Sequence, residues 1–164
     1  MSAGRSTSWG YAAFAVGVLY ALVSAYWGAG GTLGLDTLGG ELEDLARDRD
    51  PALIAVVWLT AGLKAIGAVL ALAVVQPWGR RLPRRPLRAA AWGASAVLVL
   101  YGGARVVGQA LLEAGVIEPA ADGDRQAVRW HLFLWDPWFL IWGLLLGMAT
   151  WLSAGERAPR AERA

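Results

Sequence analysis

His131-Leu132-Phe133-Leu134-Trp135-Asp136-Pro137-Trp138-Phe139-Leu140-Ile141-Trp142-Gly143-Leu144-Leu145-Leu146-Gly147-Met148-Ala149-Thr150-Trp151 is apolar for long enough to cross a bilayer, yet it carries a carboxylate, Asp136, near one end. A lone charge in hydrocarbon is expensive, so the remaining sequence reads as the set of helices that hides this one. Composition agrees. With 57% hydrophobic residues in 164 and a mean hydropathy of +0.44, the chain has more apolar surface than a soluble core of this size can bury, and the surplus must face lipid.

Three further apolar runs flank acidic or basic connections. Spans are expected at about 9–27, 51–76, 89–112 and 131–153, within one transmembrane domain covering 1–164. The first run exceeds a cleavable leader's apolar core and ends in Tyr26-Trp27 where small residues would be needed, so it reads as retained. Asp50-Pro51 opens the second run as cap and first helical residue. The expected fold is an all-α, up-down-up-down four-helix membrane bundle.

Charge sets the orientation. The amino end, the 77–88 loop and the tail together hold nine Arg and two acids, whereas the first and third loops hold four Arg and ten acids. By the positive-inside rule both termini are cytoplasmic, and the protein is a multi-pass protein of the cell membrane. Fourteen Arg against one Lys, with abundant Ala and Gly, is the imprint of a G+C-rich coding sequence and points to an actinobacterial-type source. The basic pI of about 9.4 does not indicate nucleic acid, because the arginines sit at membrane flanks. The absence of Cys excludes disulfides and thiolate chemistry, and a single His without an acidic cluster leaves no metal site. No cofactor motif is present.

On a helical wheel the ionisable residues fall on small or polar faces: Gly17, Tyr20, Ser24 and Gly28 in the first span; Thr60, Lys64, Gly67 and Ala71 in the second; Tyr101, Arg105 and Gln109 in the third; Asp136, Gly143, Gly147 and Thr150 in the fourth. The wheel turns His131, Trp135, Trp138 and Trp142 away, toward lipid or lateral contacts. Trp9, Trp27, Trp78, Trp92, Trp130 and Trp151 lie near span ends, as an interfacial belt requires. Arg105 and Asp136 share a depth and are expected to pair, with Lys64 lifting its ammonium toward the same point. Two cations against one anion leaves three solutions: an uncharged Lys64, a carboxylate such as Glu113 folding in, or an anionic ligand. The competing structural reading makes Asp136 only a helix cap, repeating Asp50-Pro51.

Tyr26-Trp27-Gly28-Ala29-Gly30-Gly31-Thr32-Leu33-Gly34-Leu35, Arg105-Val106-Val107-Gly108 and Trp135-Asp136 resemble the motifs of a family of small four-span bacterial membrane proteins classed as a domain of unknown function. The resemblance spans nearly the whole chain and implies the four-span fold, with the arginine and aspartate as shared features. It implies no chemistry. A His that often precedes the Tyr-Trp pair in that family is absent, since Ser24-Ala25 stand there.

Three functions follow as expectations. The first is binding of a small amphipathic anion or lipid headgroup in an outward-facing polar site made of Arg105, Asp136, Lys64, Tyr101, Gln109, Tyr20, Ser24 and Trp27. The second is a membrane enzyme acting on a lipid or isoprenoid-like substrate, with Asp136 as acid or base; the lack of a nucleotide loop or Ser/His/Asp set lowers it. The third is an accessory subunit docking a membrane protein partner or a second copy of itself. The lipid bilayer is a partner in all three, and nucleic acid in none.

Overall fold

The computed structural model describes residues 3–117 and 125–155, and among these the chain is helical without a strand. Helices α1 (Ala3–Gly28), α3 (Pro51–Val75) and α4 (Arg84–Glu113) are continuous; short α2 (Gly40–Arg47) lies in the first connection. The last long helix is compound: α5 (Arg125–Trp130), a π turn (His131–Trp135) and α6 (Asp136–Gly155) run on without a break. Four stretches, 4–28, 51–75, 84–113 and 125–154, are long and apolar enough to cross a membrane. The third and fourth begin at Arg84 and Arg125, ahead of their apolar runs, because arginine-bearing and polar turns extend the same helices. We call the end carrying the 29–50 segment the acidic end, and that carrying the Pro77–Arg81 turn the arginine end.

The helices associate as two close pairs, α1 with α3 and α4 with α6, joined through α1 against α6. Helices α3 and α4 touch each other only sparsely. Hydrophobicity cannot favour helix on helix over helix on lipid, so small residues and interhelical hydrogen bonds must hold the pairs. A Cβ at Gly102 would lie 2.5 Å from Leu140 N and 3.0 Å from Asp136 O, backbone atoms that cannot yield. Gly143 likewise meets Val99 and Leu98, while Ser95 Oγ donates to Gly143 O at 2.8 Å. On the other side of α6, Trp142 occupies the space left by Gly17 and Gly67, and Trp138 Nε1 donates to Val16 O at 3.1 Å. At the arginine end Gln76 Nε2 donates to Tyr11 OH.

One sequence expectation narrows and one changes. Trp135 and Trp142 are 7% and 2% exposed, so of the two contacts expected for their stripe, with lipid or with lateral neighbours, these two tryptophans make the second and pack against α1 and α3. A wheel assigns one face per helix, but α6 is central and is covered on several sides. Nor does Asp136 cap a helix. The chain is already helical before it, and the wide π turn, closed by Asp136 N donating to His131 O, precedes the proline that lacks a donor. Asp50 does cap: its Oδ1 accepts from Leu53 N at 2.9 Å with Pro51 at the first helical position.

Candidate functional site

Lys64 lies midway along α3, too deep for its stem to reach either end easily. Its Nζ donates to Ser24 Oγ of α1 at 2.6 Å and stands 4.1 Å from the centre of the Tyr20 ring, with Phe139 of α6 at 5.9 Å. The helical repeat explains the meeting: Tyr20 and Ser24 are one turn apart on the α1 face that opposes α3. Tyr20 and Ser24 are 5% and 3% exposed. Among the described residues no carboxylate lies within ion-pair distance of Lys64; Asp136 is paired elsewhere.

Asp136 is 2% exposed, and its Oδ1 accepts from Arg105 Nε at 3.4 Å. Gly102, three residues before Arg105, brings α4 against the Asp136 backbone and so sets this pair. The π turn adds a neighbour that the wheel had turned away: His131 Nδ1 lies 3.7 Å from the same oxygen. Among the described residues Asp136 Oδ2 and His131 Nδ1 are buried with no hydrogen-bond partner, as is Gln109 Oε1. Glu113 does not fold into the cluster, because it pairs with Arg129 at 2.9 Å. The single constellation expected from sequence is therefore two: Arg105 with Asp136 and His131, and Lys64 with Ser24 and Tyr20.

An aromatic block separates them. Tyr20 stacks on Trp138 at 4.9 Å and on Trp135 at 6.1 Å, and Tyr101 meets Phe139 edge-on at 5.0 Å. Trp27 packs edge-on against Trp135 at 5.2 Å and donates from Nε1 to Leu33 O at 3.0 Å. Thr37, unremarked in the sequence, accepts from Trp135 Nε1 at 3.0 Å and donates to Gly34 O, pinning the first connection to α6. Arg49 adds a clamp, donating to Trp27 O and Gly28 O at the end of α1. Local charge patterning did not reveal either role, since both depend on contacts across the chain.

Three cavities are lined by Lys64, Ser24 or Arg105. The largest, about 560 Å³, opens between α3 and α4 where they part; Thr60, Lys64, Gly67, Val97, Tyr101 and Trp142 are among its walls. Leu63 and Val97 at its rim are 58% and 66% exposed on the flank of the molecule, so the opening faces sideways and not toward the acidic end. A smaller one, about 120 Å³, lies under α2 between Leu42, Ala46, Trp27 and Ser24, and shares Thr60 and Lys64 with the first. Arg105 and Gln109 line a third, about 210 Å³, on α4. Of the eight residues singled out in sequence, Lys64, Ser24 and Tyr20 are in mutual contact, Arg105 is with Asp136, and Tyr101, Gln109 and Trp27 line the walls.

The chain belongs to the family described as "Protein of unknown function (DUF3995)", whose model matches residues 17–146 and so takes in every residue of both constellations. No curated protein and no solved structure matches the chain.

Proposed function

We propose that this is a multi-pass protein of the cell membrane that binds an amphipathic anion, with the apolar chain in the cavity between α3 and α4 and the anionic group at Lys64. One observation carries the reading: an ammonium midway along an apolar helix, with no carboxylate within ion-pair distance among the described residues, forms part of the wall of a cavity that is otherwise almost wholly apolar. A buried cation without a counter-charge costs several kcal/mol, and an anion delivered from the bilayer offsets that cost. The Tyr20 face and Ser24 hydroxyl satisfy only part of what three N–H donors can bond. Trp142 shares that wall, but its Nε1–H is buried and, among the described residues, without a hydrogen-bond partner. Sideways opening suits a ligand that never leaves hydrocarbon, and the Arg105–Asp136 pair then serves structure instead of the ligand.

A photoreactive fatty acid bound to the detergent-purified protein tests this. Crosslinks are expected on α3 and α4 around Leu63 and Val97, displaced by oleate and not by methyl oleate. Lys64→Met is expected to lower oleate competition about tenfold or more, the worth of a charged hydrogen bond. Equal displacement by oleate and its neutral ester overturns the proposal.

A further inference from the structure

Ser24 and Ser95 form their hydrogen bonds across helices and not along their own. The usual fate of Ser or Thr within a helix is to donate to the carbonyl three or four residues back, and Ser8, Thr60, Thr150 and Ser153 all do so. Ser24 Oγ accepts from Lys64 Nζ at 2.6 Å across the α1–α3 contact and has no other hydrogen-bond partner among the described residues. The amine, in turn, is committed to no carboxylate within ion-pair distance among the described residues. A hydroxyl free of its own helix and an amine free of acids, held within hydrogen-bond reach, are a nucleophile and its base. Serine with lysine is a known variant of the hydroxyl–base arrangement in acyl transfer.

The cavities supply access. Ser24 and Lys64 both line the 120 Å³ space under α2, and Lys64 and Thr60 also form part of the wall of the 560 Å³ cavity between α3 and α4. If a methylene occupies about the volume of a water molecule, roughly 30 Å³, the larger cavity takes one long acyl chain of up to about eighteen carbons. A chain lying there, entering from the bilayer, meets Lys64, whose Nζ is 2.6 Å from Ser24 Oγ.

We propose that Ser24 is an acyl-accepting nucleophile, with Lys64 as general base, acting on a long-chain acyl ester drawn from the membrane. The proposal takes from the binding reading only the place of the chain. Lys64, as the free amine, accepts the Ser24 proton while Oγ bonds to the ester carbonyl carbon. The carbon–oxygen bond to the alcohol then breaks, and the leaving oxygen takes that proton from Lys64. Water cleaves acyl-Ser24 by the same route, restoring the hydroxyl. The carboxylic acid so formed leaves its proton on Lys64, and the site then holds a carboxylate beside an ammonium, the state described above for an anionic ligand.

Incubation of the purified full-length protein with a long-chain alkyl fluorophosphonate, followed by whole-protein and peptide mass spectrometry, tests this. One adduct is expected, on Ser24, and none in Ser24→Ala. Lys64→Arg keeps the positive charge but supplies no base, so labelling is expected to slow about 100-fold or more while carboxylate-selective photocrosslinking persists. No adduct on wild-type Ser24, or labelling of Lys64→Arg at the wild-type rate, overturns the nucleophile and leaves anion binding standing. An adduct on Ser24 in protein that fails to distinguish oleate from methyl oleate keeps the nucleophile and removes the binding proposal.

Discussion

Asp136 is buried more completely than any charged group needs to be for pairing, yet its bond to Arg105 is long at 3.4 Å and one oxygen has no partner. The Arg105 side chain remains 43% exposed, so its long stem can carry the guanidinium toward headgroups and water at the acidic end, where its charge is solvated without the aspartate. Desolvation of the carboxylate then cancels most of what the pair returns, and little net stability is left in it. Replacing Asp136 with Asn, which keeps shape and removes charge, is expected to shift unfolding by no more than about 1 kcal/mol in either direction, read from thermal unfolding in detergent. A loss of about 3–5 kcal/mol would mark a tightly closed pair instead. That Arg105 and Asp136 meet was legible in their depths along two helices. That His131 joins them was not, because a 100° wheel cannot represent the π turn that rotates it toward Asp136. Lys64 was legible as a buried cation and Ser24 as a residue of the polar face of α1, but their direct contact, forty residues apart, was not.

At the scale of elements, glycines decide which helix faces meet. Gly102 and Gly103 are adjacent on α4 and identical in sequence terms, yet an added Cβ meets Leu140 N at 2.5 Å in the first case and only a side-chain carbon at 4.0 Å in the second. Gly102→Ala is expected to destabilise the protein by about 1–3 kcal/mol by forcing α4 from α6. Gly103→Ala is expected to be neutral or to stabilise by up to about 1 kcal/mol through helix propensity. Comparable losses in both would show that α4 and α6 do not pack through this face. The same logic explains why the wheel left the α6 tryptophans open between lipid and lateral contacts. Their burial depends on Gly17 and Gly67 on other helices, which leave the room that Trp142 fills. Repetition misled in one place: Asp50-Pro51 starts a helix and Asp136-Pro137 continues one, because α2 ends at Arg47 and a turn over Asp48 and Arg49 precedes Asp50, whereas the π turn runs unbroken into Asp136.

Over the whole molecule the arginines report what no helix contact can, namely which end faces which compartment. Pro77–Arg81 and the first five residues of α4 carry five of the fourteen arginines on one side, whereas Asp36, Glu41, Glu43 and Asp44 crowd the other with α2. Moving Lys or Arg across a bilayer is disfavoured during insertion, so the arginine end is expected in the cytoplasm, with the Lys64 cavity opening into the membrane between the two ends. The native chain has no Cys, which makes single-cysteine labelling direct. Leu33 and Leu82 sit at opposite ends and are 81% and 42% exposed. In intact cells an impermeant maleimide is expected to label Leu33→Cys and to reach Leu82→Cys only after permeabilisation. The reverse pattern inverts the map and would place α2 and the 120 Å³ cavity on the cytoplasmic side. Labelling of both in intact cells breaks the four-span reading itself, because an odd number of crossings cannot leave both connections on one face.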